Sequence, residues 1–318
     1  MKAKTKWLFF LIALLLLSGC GNDFVLIHSK GKIGRDEIDL IYIQVVMMLL
    51  VVIPAIGMSF WFAWKYRHSN PETHDDYAPE WHESRKIELW IWGIPCTIIL
   101  IMAILSWNAT HFLDPFRPLD SDKPPVKIEV VAAPYQWIFI YPDEKFATVN
   151  EIYVPVNTPV SFTITSDFSM NSFFIPQLGG QIYAMAGMKS QLHLIADHIG
   201  IFDGISSNYS GHGFSRMKFK AHAVEESRYQ AWMQQARSGS DALDMHTFKA
   251  LQDKVDQSAD TALELPDAAP TPHPVRYFSN VSPNLFQQIV DQYMADSHPP
   301  SKANYPHSSD TVAKERTK

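Results

Sequence analysis

The sequence predicts an N-terminal two-helix transmembrane hairpin, then an all-β sandwich outside the membrane, then additional C-terminal helices. Three observations carry that expectation. Two apolar stretches, 38–64 and 88–110, each reach the roughly 20 residues needed to cross a bilayer core. From Val126 the pattern changes to short alternating segments separated by turn signals. Beyond Val224 the spacing of apolar residues becomes helical.

The N-terminus reads as an export signal, residues 1–19. Lys2, Lys4 and Lys6 form its basic start and Trp7 to Leu17 its apolar centre. The segment closes on Leu17-Ser18-Gly19-Cys20, which resembles a lipoprotein signal-peptidase box, so lipidation is expected at Cys20. A short transmembrane anchor with an incidental cysteine is the alternative, but the apolar run is too short to span. The other cysteine, Cys96, lies in the second span, so neither a disulfide framework nor a cysteine metal site is expected.

Residues 20–37 are expected to lead into transmembrane helix 1 (38–64), with Trp61 and Trp64 at its end. The loop 65–87 carries Lys65, Arg67, Arg85 and Lys86 beside the spans, which places it in the cytoplasm. Transmembrane helix 2 (88–110) is marked by Trp90, Trp92 and Trp107. The N-terminus and everything after helix 2 then face the periplasm of a bacterium, at its inner membrane. Two buried core helices are the competing reading, disfavoured by length. Asp39 and Glu88, near the ends of the spans, are expected to contact a partner subunit rather than to serve a proton or quinone site.

Residues 120–224 form the expected sandwich. Val160 to Thr165 and Met217 to Ala223 alternate cleanly, and 126–131, 135–141, 151–156 and 191–196 are further strands. Tyr141-Pro142-Asp143, Asn157-Thr158-Pro159 and Gly179-Gly180 supply turns. Seven or eight such strands in about 100 residues suit a sandwich. A helical extension follows over 225–297, with helices at 225–237 and 242–255, a polar linker at 256–274, and a third helix starting at Ser282-Pro283. The apolar stripe Leu285, Phe286, Ile289, Val290, Tyr293 and Met294 must bury against the sandwich or a partner. The polar tail 298–318 is expected to be disordered.

The net charge of −6 provides no basic surface, so no nucleic-acid partner is expected. No phosphate-binding glycine loop, nucleophile elbow or His-Glu-x-x-His motif is present, and no catalytic residue is assigned.

The most informative stretch is Gly204 to Met217. It resembles the copper loop of subunit II of the haem–copper respiratory oxidases, Cys-x-Glu-x-Cys-x-x-x-His-x-x-Met, with nearly all ligands replaced. Ser206 and Ser210 stand at the cysteines, Asn208 at the Glu and Phe214 at the His, while Met217 is kept. Upstream, Asn171-Ser172-Phe173 replaces the His-Ser-aromatic step. A copper pair needs soft thiolates and imidazoles, which serine, asparagine and phenylalanine cannot supply. His212, His193 and His198 read as solvated surface histidines; a mononuclear site from His212 and Met217 is the minor alternative.

Thr148 to Ile152, Asn171 to Pro176 and Gly180 to Met188 also look like segments of the quinol-oxidising branch of this family, in its bo-type, ubiquinol-using form. The resemblance covers about residues 1–290. It narrows the sandwich to a cupredoxin-like Greek key. It implies a non-redox subunit of a proton-pumping ubiquinol oxidase, reducing oxygen to water. Haems, copper and ubiquinol are then expected in partner subunit I, and none as a cofactor of this chain. Further implied partners are smaller membrane subunits and the lipid bilayer, not cytochrome c. The chain would aid assembly and cap the periplasmic face of subunit I. The aromatic strand Tyr135, Trp137, Phe139 and Tyr141, an electron relay in copper-bearing relatives, is expected here to pack the sandwich or a partner. A menaquinol-oxidising relative and a stand-alone periplasmic binding lipoprotein remain as alternatives.

Overall fold

The computed structural model describes residues 25–67, 83–211, 214–239, 241–252 and 275–297. The signal segment, Cys20, His212, residues 68–82 of the expected cytoplasmic loop, the linker 256–274 and the tail 298–318 lie outside them.

Two long apolar helices open the described chain, α1 (Lys32–Lys65) and α2 (Arg85–Phe112), both long and apolar enough to cross a membrane. Their side chains are bare to the surroundings: Phe60, Leu89 and Trp92 are each more than 70% exposed. In water that would be untenable, whereas hydrocarbon solvates it. The first helix begins at Lys32, six residues ahead of the expected span. Its opening turns are polar because they rest on the sandwich rather than in lipid. Lys30 N–H donates to Gln177 O at 2.7 Å, Gly34 N–H to Leu178 O at 3.1 Å, and Arg35 pairs with Asp197.

The sandwich has two sheets. The first runs β12-β3-β2-β1-β5-β8, from Val126–Ala133 (β1), Gln136–Tyr141 (β2), Phe146–Val149 (β3), Pro159–Ser166 (β5), Ser190–Ile195 (β8) and Arg276–Phe278 (β12). The second runs β4-β10-β9-β6-β7, from Glu151–Pro155 (β4), Asn171–Phe174 (β6), Gln181–Ala184 (β7), Gly200–Ser206 (β9) and Lys218–Val224 (β10). Most neighbours are antiparallel, but β1 pairs parallel with β5 and β4 with β10, as connections that cross between sheets require. Asn150, at φ 60°, makes the turn from β3 to β4, and its Oδ1 accepts from Trp137 N–H at 2.8 Å. Asparagine tolerates that left-handed geometry better than most residues.

Between the sheets lies an aromatic core. Trp137, Phe139 and Tyr141 are fully buried, as are Phe173 and Phe219. Phe173 stacks on Phe219 at 5.1 Å, and Trp137 meets Phe173 edge-on at 5.4 Å. The aromatic strand thus packs its own sandwich. Gly204 has no Cβ because the Phe219 ring lies directly against it.

Several C-terminal elements differ from expectation. Glu226–Arg237 (α3) follows β10 as expected. Ala242–Leu243 (β11), however, is not helical; it pairs in parallel with Asn280–Val281 (β13). Helix α4, residues 245–252, starts only after Asp244, whose Oδ1 accepts from Thr247 N–H at 2.7 Å. The last helix, α5 (Leu285–Ser297), begins beyond Ser282-Pro283, because Asn284 adopts φ 65° and interrupts the turn. Its Leu285, Phe286, Ile289 and Val290 bury on the outer face of the first sheet against Val131, Ile138 and Ile140. The sandwich itself therefore covers the main part of the stripe, while Met294 is half exposed.

Candidate functional site at the loop between β9 and β10

The loop leaves β9 at Ser206 and rejoins the sheet at Met217, with a 3-10 turn over Phe214–Arg216 among its described residues. Asn171, the first residue of the neighbouring β6, lies beside it. Ser206 Oγ donates to Asn171 Oδ1 at 3.2 Å, and Asn171 Nδ2 donates to Ser169 O at 3.0 Å. Both side chains are buried. Asn208 Nδ2 donates to Met170 O at 2.9 Å and so ties the loop to the β5–β6 connection. The fold therefore brings Asn171, Ser206 and Asn208 into one hydrogen-bonded group.

Phe214 packs on Tyr209, ring centroids 5.7 Å apart. Met217 is 1% exposed and belongs to the sandwich core. Its main chain closes the loop, accepting from Ser206 N–H at 3.2 Å. The Ser210 and Ser172 hydroxyl oxygens are buried with no hydrogen-bond partner among the described residues. The donors do not fit a copper pair. The Asn171 oxygen is already engaged by Ser206, hydroxyls are poor substitutes for bridging thiolates, and one thioether remains. No group of three His, Cys, Asp or Glu side chains able to hold a metal ion occurs among the described residues.

The histidines divide. His198 is exposed, as expected for a solvated residue. His193 is buried, contrary to expectation. Its Nδ1 donates to Pro115 O at 3.0 Å, and its Nε2 is hydrogen-bonded with Ser161 Oγ at 3.1 Å. It joins the end of α2 to the first sheet. Asp39 and Glu88 are exposed on their helices.

A polar cluster that the sequence did not announce joins β4, β10 and β12. His222 Nε2 approaches Glu151 Oε1 at 2.8 Å, and the Tyr277 hydroxyl donates to Glu151 Oε2. The imidazole stacks on Tyr153 at 4.3 Å, and Tyr153 on Trp232 at 4.4 Å. Burial pushes the Glu151 carboxyl up, but the contacts from His222 and Tyr277 outweigh it and leave the group below the usual range. Strand pairing creates this cluster, and no local motif signals it.

Residues 129–224 match the family "Cytochrome C oxidase subunit II, periplasmic domain", and residues 263–297 match "COX Aromatic Rich Motif". The sandwich is thus of the cupredoxin-like class found in oxidase second subunits. A solved periplasmic domain of cytochrome oxidase subunit II from Bradyrhizobium japonicum covers 37% of this chain and 96% of its own, at 22% identity and a TM-score of 0.35. Over the longer span, the chain is 49% identical to cytochrome bo(3) ubiquinol oxidase subunit 2 of Pseudomonas aeruginosa, covering 92% of this chain and 82% of that one. It is 46% identical to ubiquinol oxidase subunit 2 of Acetobacter aceti, covering 88% and 85%. The chain belongs to the ubiquinol oxidase subunit 2 family of the haem–copper oxidases.

Proposed function

We propose that this chain is the second subunit of a proton-moving ubiquinol oxidase and carries no redox centre of its own. One observation carries the reading: the Ser206–Asn171 hydrogen bond occupies the place where the resemblance puts two copper ligands. Without thiolates or imidazoles at these positions the loop has no means of accepting an electron from cytochrome c. Electrons then enter the complex as ubiquinol, and the haems, copper and quinol site belong to subunit I. This chain contributes binding surface: α1 and α2 pack on subunit I and the smaller membrane subunits within the inner membrane. The sandwich caps the periplasmic face, and a lipid at Cys20 adds an anchor.

The test is to isolate the complex from native membranes through a tag on this chain. Haem co-purifying with the chain, rapid oxidation of ubiquinol and none of cytochrome c is the expected result. Rapid cytochrome c oxidation, or tightly held copper in the isolated chain, would overturn the proposal. A preference for menaquinol over ubiquinol would reassign the donor.

A further inference from the structure

The β5–β6 connection that meets the loop remnant also forms the wall of a second feature. A crevice of about 340 Å³ is lined by Asp167, Phe248, Lys249, Gln252, Gln292 and Tyr293. Asp167 is 5% exposed. Its carboxylate accepts from the Gln252 and Gln292 side-chain amides, one on each oxygen, and Tyr293 donates its hydroxyl to the Asp167 main-chain carbonyl. These donors, and the Tyr293 hydroxyl beside them, are all neutral, so they satisfy acceptor positions on the carboxylate without balancing its charge. Among the described residues no lysine, arginine or histidine nitrogen lies within 4.0 Å of it. Lys249 lines the same crevice but is itself exposed. Lys249 therefore acts on the carboxylate only from a distance; a buried carboxylate without a contacting cation is costly, and a cation delivered into the crevice is the most direct relief.

We infer that the crevice receives a lysine or arginine side chain of the haem-bearing subunit, an inference that rests on the proposed function. Position supports it. Residues 167–170 lead directly into Asn171, and Asn208 holds Met170, so crevice and loop remnant share one end of the sandwich. That end is apolar at its surface, with Met170 44%, Met188 52% and Tyr209 72% exposed. Met188 lies in the turn that packs on Tyr293, since a Cβ on Gly187 would come within 3.3 Å of the Tyr293 Cβ. An apolar rim around a buried charge with no contacting cation is the anatomy of a protein interface with a charged anchor. Burial also pushes the Asp167 carboxyl up to about 6, against the hydrogen bonds and Lys249, as expected of a carboxylate awaiting its counter-charge.

The experiment compares Asp167→Asn with the unaltered chain in two measurements. The first is retention of the haem-bearing subunit on tagged chain as salt is raised. The second is the melting temperature of the full chain expressed alone in detergent. Losing the anchor is expected to speed release of the partner by on the order of tenfold or more. The chain alone should melt at the same or a higher temperature, because an unpaired buried charge has gone. Unchanged retention would overturn the inference and leave the proposed function standing. Faster release accompanied by a lower melting temperature would also overturn it, since the defect would then be one of folding. If the unaltered chain retains no haem-bearing subunit, the proposed function falls, and this inference with it.

Discussion

Gly34 in the first helix and Gly179 in the loop before β7 meet backbone to backbone. A methyl group on Gly179 would lie 2.5 Å from the Gly34 nitrogen, and Gly179 has φ +85°. Gly179→Ala is therefore expected to cost about 1–2 kcal/mol from the left-handed backbone alone. Separation of helix and sandwich adds to that. Thermal unfolding of the full chain in detergent checks this; an unchanged melting temperature would show that the contact is slack.

The Ser206–Asn171 pair gives a second prediction. Ser206→Ala leaves the buried Asn171 oxygen without its 3.2 Å donor. A loss of about 1 kcal/mol in stability is expected. Ubiquinol turnover by the purified complex should be unaffected, because the proposed function assigns no electron path to the loop. A fall in turnover at equal complex content would contradict that.

Ile289 is fully buried beneath α5 on the outer face of the first sheet. Replacing it by alanine is expected to cost about 2–5 kcal/mol through lost contacts and a residual cavity. Denaturant unfolding of the chain measures it. A cost below that range would mean that the helix is held mainly by something other than this sheet.

Two carboxylates predict opposite responses to pH. Asp167 is raised by burial from 3.8 to about 6, so between these values the folded chain holds a proton that the unfolded chain has released. Its contribution to stability therefore falls as pH rises through that window. Glu151 is lowered by its contacts with His222 and Tyr277, in excess of its burial, so its contribution is present above the ordinary carboxylate range and lost on acidification. Melting curves of Asp167→Asn and Glu151→Gln should each flatten their own limb. A parallel displacement of the whole profile would count against the assignment.

Cys20 provides a chemical prediction. If the thiol carries a diacylglycerol, mass spectrometry of the mature chain will show the added acyl mass and cleavage before Cys20. Cys20→Ser will show neither. Identical masses, apart from the sulfur-to-oxygen exchange, would remove the lipid anchor from the proposal.

Much of this was legible because it depends on local pattern. Length and hydropathy announced both membrane helices, and period-two alternation announced β5 and β10. Shorter strands escaped. Phe146–Val149 is buried throughout and Gln181–Ala184 spans four residues, so neither alternates long enough to be read. Ala242 and Leu243 carry good helix propensity, yet pairing with Asn280 and Val281 overrides it. The loop remnant was readable because its spacing survives after its ligands have gone. Met217 looked like a surviving ligand, whereas its place in the core gives it a structural reason to persist. Asp167 was invisible: in Ser-Asp-Phe-Ser an aspartate reads as a solvated turn residue. Only the fold brings Gln252 and Gln292 onto it.

The edge strand β12 and the covering helix α5 come from the far end of the chain, yet they complete a sheet that begins at Val126. An exported polypeptide emerges N-terminus first. Until its last portion has crossed, Ile138, Ile140 and Val131 have only Leu243, Phe248 and Leu251 for cover, and β3 has an open edge. An incomplete sandwich of this kind exposes an apolar face and an unpaired strand edge, the features that invite unwanted strand pairing. The last residues to be made thus close the domain, and a chain cut short before Arg276 would leave this sheet face without α5 and β3 without its edge partner.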